Sequence, residues 1–280
     1  MTEPANADQI KFWNGPTGLK WTQFQADMDR NLAAATAGIL PFAKAAPGER
    51  VLDIGCGAGE TSLKLAEAVG PNGRVTGVDV SAPLLGLARA RAGAAKNVAF
   101  VEADAAFYPF APDHDLVFSR FGVMFFDAPA AAFANIRTAL KPGGRLAFVC
   151  WRPAPDNQWV ALPAGAARGL LPPQPPPDPL APGPFAFADP GRVAAILTAA
   201  GFRDVRIEKL DGHMDLGRDA DHAAFQMTNL GPLSRALGDA SVDDAARERV
   251  RVAVKAALED IRTPDGIRPA IACWLVGARV

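Results

Sequence analysis

Val51-Leu52-Asp53-Ile54-Gly55-Cys56-Gly57-Ala58-Gly59-Glu60-Thr61 is the stretch from which the fold is read. Four residues with a buried-strand pattern run into three glycines at alternate positions. Residues 61–69 follow with Leu63, Ala66 and Val69 on one helical face, and Gly70-Pro71 stops the helix. Glycines between a strand and a helix permit a tight turn and close approach of the backbone to a ligand. The same glycines also suit a plain strand–helix connector.

Working outward, residues 74–80 (RVTGVDV), 97–102 (NVAFVE), 115–119 (DLVFS) and 145–150 (RLAFVC) read as further strands. Helical segments separate them. Ser81 is placed to cap the helix carrying Leu84, Leu85 and Ala88. Asp127-Ala128-Pro129 opens a helix with Phe133, Ile136 and Leu140, with Asp127 read as its N-cap, and residues 141–144 form a turn. Apolar strands spaced by helices predict βαβ units and a parallel sheet covered on both faces. The ligand crevice is expected outside the carboxyl ends of the strands, where strand order reverses. Residues 171–184 hold eight prolines and read as a stiff, extended connector. Asp189-Pro190 begins another helix, residues 202–209 alternate like a strand, and residues 271–280 read as a terminal strand. Between these last two strands lies a mostly helical insert, with Val250, Val254, Leu258 and Ile261 at helical spacing.

The composition suits a folded, water-soluble chain. Of 280 residues, 49% are hydrophobic and 21% charged, and 29 basic side chains face 30 acidic ones. A near-neutral chain lacks the phosphate-neutralising excess of a dedicated nucleic-acid binder. The three cysteines (56, 150 and 273) have neither disulfide-framework nor metal-ligand spacing. No metal is expected. With no signal peptide and no transmembrane run in the sequence, a cytoplasmic protein with no membrane partner is expected, as a monomer or homodimer.

The glycine loop admits two ligand readings. A dinucleotide site takes G-x-G-x-x-G and sets a pyrophosphate on the helix N-terminus. Here the glycines stand at 55, 57 and 59, and Glu60 takes the third glycine's position, bringing negative charge to a pyrophosphate site. Asp53 is unexplained by that reading, whereas a cationic or zwitterionic ligand would explain it; its carboxylate could also bond the loop's own backbone.

At this point VLDIGCGAGETSLKLA resembles the first motif of class I S-adenosylmethionine (SAM)-dependent methyltransferases, and later landmarks follow in that family's order. LKPGGRLAFVCW is similar to the family's turn into strand five. The resemblance implies a doubly wound, Rossmann-like seven-stranded α/β sheet and a methyl transfer from SAM to a small-molecule acceptor, leaving S-adenosylhomocysteine. The wider sequence looks most like the ubiquinone/menaquinone C-methyltransferase group. By the resemblance, Asp53, Gly55, Cys56, Gly57, Gly59 and Thr61 surround the donor. Asp79, with Val80, binds the ribose hydroxyls. Asp104 and Ala105 bind adenine through a carboxylate and a backbone N–H. Ser119, Arg120 and Phe121 line the methionine part and the acceptor. It further implies a helical N-terminal lid (1–45) contributing Trp21 and Gln25, a donor domain (46–210 with 267–280), and a helical cap (211–266) over the acceptor.

Methyl transfer from a sulfonium is an in-line displacement in which the protein chiefly positions reactants and excludes water. His213, His222, Tyr108 and Arg120 are the candidate catalytic groups. His114 stands at the wrong end of its strand. Phe125, Phe126, Trp151 and Arg152 follow strands four and five, where the crevice is expected. Ser119-Arg120-Phe121-Gly122 replaces the N/D-P-P-Y/F motif of nucleic-acid amino methylation, and a radical-SAM cysteine motif is missing. An NAD-dependent oxidoreductase and a non-catalytic binding protein of the same fold are the competing expectations.

Overall fold

The computed structural model describes residues 6–173, 178–238 and 241–280. Four short helices, α1 (Ala7–Asn14), α2 (Pro16–Gln23), α3 (Gln25–Asn31) and α4 (Ala33–Ala43), lead into β1 (Arg50–Ile54). The alternation then continues through α5 (Glu60–Val69), β2 (Arg74–Asp79), α6 (Ala82–Ala92), β3 (Val98–Glu102), β4 (His114–Arg120), α7 (Pro129–Arg137) and β5 (Leu140–Trp151). Next come α8 (Gln158–Ala166), α9 (Pro190–Ala199) and β6 (Arg203–His213). Helices α10 (Ala220–Asn229), α11 (Leu233–Leu237) and α12 (Asp244–Glu259) follow. A hairpin of β7 (Arg262–Thr263) and β8 (Gly266–Ile267) precedes the last strand, β9 (Ala270–Arg279).

The main sheet has seven strands in the order β3-β2-β1-β4-β5-β9-β6. Strands β1 to β5 run parallel, and β9 runs antiparallel between β5 and β6. Strand order reverses between β1 and β4, so the crevice opens at their carboxyl ends. This is the doubly wound seven-stranded sheet expected from the sequence.

The apolar runs explain the core. Phe118 on β4, Phe148 on β5, Phe133 on α7 and Phe187 are fully buried. Their rings meet at 5.7 Å (Phe133–Phe148) and 6.1 Å (Phe133–Phe187). Burying each such side chain stabilises the fold by roughly 1.5–3 kcal/mol. On the other face, α4 inserts Ile39 and lays Phe42 over β9. A Cβ on Gly277 would come 3.2 Å from that ring, so glycine sets the approach of helix to sheet.

Local chemistry sets the element ends. Gly70 caps α5 with φ +68°. Ser81 Oγ accepts from Leu84 N to cap α6, and Asp189 caps α9 by accepting from Gly191 N. Asp127 does not cap α7: Ala128 holds the cap position, and the Asp127 carboxylate accepts from Asn6 N instead. Residues 141–144 are absorbed into β5 as an irregularity, between the pairs His114↔Leu140 and Leu116↔Arg145. Strand β6 runs on to His213, because Leu210 to His213 pair with Cys273 to Ala270. The stripe Val250, Val254 and Leu258 of α12 is fully buried, and Ile261 packs partly buried beyond it. Of the proline-rich stretch, residues 174–177 lie outside the described residues; 171–173 and 178–184 form neither helix nor strand. Among the described residues no helix is long and apolar enough to cross a membrane.

Candidate functional site

The glycine loop leaves β1 with φ of +66°, +53° and +79° at Gly55, Gly57 and Gly59, a region that only glycine enters freely. Gly55 N and Cys56 N both donate to Val78 O, which folds the loop across β2. Gly59 then starts α5 in the left-handed conformation, and Glu60 takes the first turn, where the helix dipole favours an acid.

Asp53 lies beneath this loop with no exposed surface. Its Oδ2 accepts from Thr61 Oγ1 at 2.8 Å and from Ser62 Oγ at 2.6 Å. Its Oδ1 has no partner among the described residues. Burial pushes the Asp53 carboxyl up to about 6, against the opposing pull of Ser62 and Thr61. The Asp53 carboxylate thus bonds hydroxyls of α5 rather than loop N–H groups. Cys56 is buried, and burial holds its thiol well above the usual range, with Asp79 and Asp53 adding to the effect. It packs where a Cβ on Gly77 would meet its Sγ at 2.9 Å. It is a packing group rather than a nucleophile.

Asp79 ends β2. Its Oδ2 accepts from Gly57 N at 2.8 Å and its Oδ1 from Ser81 N at 2.9 Å. Burial raises its carboxyl, opposed by those N–H groups. Val80 O accepts from Asn14 Nδ2 at 2.8 Å, and Trp13 O accepts from Ser81 Oγ at 2.8 Å, so α1 sits over this strand end. Beyond β3, Asp104 Oδ1 accepts from Ala106 N at 2.9 Å and Oδ2 from Asn6 Nδ2 at 2.8 Å. Ala105 is a buried residue, and its N–H makes no hydrogen bond among the described residues.

The segment after β4 departs from its sequence reading. Ser119 is fully buried; its Oγ donates to Ile54 O at 2.8 Å and accepts from Gly122 N at 3.2 Å, so its side chain ties two loops together. Arg120 turns under the loop. Its Nη1 donates to Thr36 Oγ1 at 2.7 Å and to Glu60 Oε2, and the Arg120 and Glu60 side chains are only 12% and 10% exposed. This buried pair also accounts for Glu60 at the third-glycine position. Phe121 has φ +60° and stacks on Trp151, with centroids 4.1 Å apart and planes 8° from parallel. Trp151 continues to Trp159 at 4.8 Å.

The N-terminal helices close one side. Trp21 packs edge-on to Trp13 at 5.3 Å, and Trp13 meets Phe125 at 5.5 Å. Gln25 does not reach the loop; it donates to Asp29. Asp29 instead pairs with Arg91, whose other Nη donates to Ala58 O at 3.1 Å. Phe126 packs edge-on to Phe133 at 6.2 Å, in the core rather than the crevice.

The remaining acid/base candidates make no hydrogen bond to the loop among the described residues. His213 ends the edge strand β6, three strand spacings or about 14 Å across the sheet from β4. It is exposed and borders a cavity of about 540 Å³ with Asp211 and Arg152. Arg152 is held there by Asp156 and Asp211, at 2.9 and 2.6 Å. His222, at the start of α10, meets Asp27 of α3 at 2.9 Å and joins the last helices to the first. Tyr108 is 38% exposed against Phe110. His114 is buried at the amino end of β4, and burial lowers its pKa. Asn6, Asn14, Arg91 and Gly122 also build the site, and no motif marked the first three. Gly122, in Ser119-Arg120-Phe121-Gly122, was legible as a glycine closing a strand end.

The chain is similar to known methyltransferases. Residues 51–144 match the family model described as a methyltransferase domain. A ubiquinone/menaquinone biosynthesis C-methyltransferase of Ectopseudomonas mendocina is 42% identical over 104 residues, which are 36% of this chain and 41% of that protein. One from Pseudomonas putida is 41% identical over 103 residues, 35% of this chain and 40% of that protein. The chain therefore aligns with about two fifths of the length of these curated relatives. The YcgJ protein of Bacillus subtilis superimposes with a TM-score of 0.55 at 19% identity, over 87% of this chain and 97% of that one. Phosphoethanolamine N-methyltransferase 2 of Haemonchus contortus, solved with phosphomonomethylethanolamine and S-adenosylhomocysteine, does so with a TM-score of 0.52 at 20% identity, over 88% of this chain and 52% of that one. Residues 51–144 are thus similar to a methyltransferase domain, and the sheet order is that of the class I methyltransferase fold.

Proposed function

We propose that the chain is a SAM-dependent methyltransferase acting on a small-molecule acceptor. One observation carries this reading. The Gly55–Gly59 loop, Asp79 and the Asp104–Ala105 pair stand at the carboxyl ends of three adjacent parallel strands, β1, β2 and β3. Asp53 Oδ1 is buried with no partner among the described residues, and the Ala105 N–H makes no hydrogen bond among them; both suit a ligand with complementary groups. When bound, SAM supplies a methyl group already activated on a sulfonium sulfur.

The chain's own residues would hold and shelter it. Asp79 suits a ribose diol, since one carboxylate takes two charge-assisted hydrogen bonds. Asp104 and the Ala105 N–H suit an amino group beside a ring nitrogen. Helices α1–α4 would act as the lid, with Trp13 and Trp21 keeping water from the donor. The acceptor would lie against Phe121, Trp151 and Trp159, under a cap of α8 and α10–α12. With His213 on the far edge strand and His222 taken up by Asp27, the reading favours a nucleophile needing little help from a base, such as an amine or an activated carbon. Three buried free cysteines suit the reducing cytoplasm. The test is incubation of the protein with methyl-labelled SAM and a metabolite extract. A small molecule that gains the label supports the reading; label found only on nucleic acid, or on nothing while SAM stays unbound, refutes it.

A further inference from the structure

Asn6 is the N-cap residue of α1, in the left-handed conformation at φ +65°, and is only 5% exposed. Asparagine is one of the few residues besides glycine that adopt this conformation readily, because its short carboxamide bonds locally. Here the carboxamide reaches across the sheet instead. Its Nδ2 donates to Asp104 Oδ2 at 2.8 Å, and its Oδ1 accepts from Asp127 N at 2.8 Å. Its backbone N donates to Asp127 Oδ2 at 2.5 Å. Three hydrogen bonds thus pin one residue between the segments that follow β3 and β4.

The effect falls on Asp104. With Ala106 N on Oδ1 and Asn6 Nδ2 on Oδ2, both carboxylate oxygens are held and the carboxylate plane is fixed. Each oxygen keeps a further lone pair. The neighbouring Ala105 N–H stays unengaged. Asn6 therefore leaves the Ala105 donor free and orients the Asp104 acceptor.

We infer that Asn6 is a positioning residue for the donor's adenine: by clamping the Asp104 carboxylate it sets the preference for an exocyclic amino group over a carbonyl oxygen. The inference rests on the SAM-donor reading above. A fixed carboxylate accepts from an amino group and repels a carbonyl. A carboxylate free to rotate does both less well, so the two ligands are separated less sharply.

The experiment is calorimetric titration of the full-length protein with S-adenosylhomocysteine and with S-inosylhomocysteine, in which oxygen replaces the adenine amino group. Wild-type protein is expected to prefer the adenosyl form. Asn6→Ala, with Asn6→Gly beside it because glycine keeps the left-handed backbone, is expected to lower that preference by about tenfold, the size of one hydrogen bond to a charged group. The loss should fall on the adenosyl ligand. Asp127→Ala removes the carboxylate that accepts from Asn6 N, keeps the residue 127 N–H on Asn6 Oδ1 and leaves Asp104 untouched, and is expected to shift the preference in the same direction by less. Asn6→Asp, which sets a third carboxylate beside Asp104 and Asp127, should do more harm than Asn6→Ala. An unchanged preference in folded Asn6→Ala overturns the inference and leaves the donor reading standing. Tighter adenosyl binding by that variant also overturns it, since the segment would then be competing with the donor. A wild-type protein that binds neither ligand overturns the donor reading itself, and this inference with it.

Discussion

Gly55 and Gly122 meet back to back: a Cβ on Gly55 would stand 2.6 Å from Gly122 Cα, and one on Gly122 would stand 2.8 Å from Gly55 Cα and 2.7 Å from Ile54 O. The loops after β1 and β4 are therefore in backbone contact at the point where strand order reverses. Gly122→Ala must push them apart. Unlike Gly55, Gly122 has no positive φ, so its substitution tests the contact without backbone strain. A loss of roughly 1–3 kcal/mol is expected, as for overpacking elsewhere. Chemical denaturation reads it, and donor affinity should fall with it.

Arg120 and Glu60 form a buried pair; removing Glu60 strands the Arg120 charge, and removing Arg120 leaves Glu60 only the longer pair with Lys64 at 3.8 Å. Arg120→Met and Glu60→Met should each cost on the order of 3–5 kcal/mol, while the double variant recovers most of that. Urea unfolding of the four proteins gives the coupling. If Arg120 bound the acceptor instead, Arg120→Met would cut activity while leaving stability unchanged.

Asp53 makes stability depend on pH. Its carboxyl is raised to about 6 in the folded chain from the ordinary 3.8, mainly by burial. The folded state thus holds the proton more tightly than the unfolded state, and stability falls as pH rises from about 4 to about 6. A shift of about two units corresponds to roughly 3 kcal/mol. Asp53→Asn should flatten this window and be more stable than wild type at pH 7, at the expense of donor affinity. Unfolding followed at a series of pH values reads the slope.

His213 ends the edge strand, exposed and remote from the glycine loop. His213→Ala should leave methyl transfer within about twofold of wild type, the usual range for exposed positions. A turnover loss with an unchanged melting curve would place His213 in the chemistry.

The parallel half of the sheet was legible because each strand is a short apolar run bounded by glycine, proline or aspartate. Spacing alone gave the βαβ order. What escaped was set by distant partners. Arg120 was read as facing a ligand, yet Glu60 lies 60 residues earlier and no local pattern joins them. Asp127 looked like a helix cap until Asn6, 121 residues away, bonded its carboxylate. Helix α8 was unread because Pro163 lies inside it and its apolar residues show weak periodicity. The last turn of β6 carries Asp211-Gly212-His213, poor strand formers that pair only because β9 lies alongside. The donor-site residues rest on the resemblance, since a carboxylate at a strand end serves a dehydrogenase ribose equally well.

The central claim is that the strand ends of β1, β2 and β3 form a SAM site. Isothermal titration of S-adenosylhomocysteine and of NAD into wild-type protein and into folded Asp79→Ala tests it most directly. Expected are S-adenosylhomocysteine binding to wild type at micromolar levels, loss of that binding in Asp79→Ala, and no binding of NAD. Binding of NAD alone, or full retention of S-adenosylhomocysteine affinity in Asp79→Ala, would contradict it.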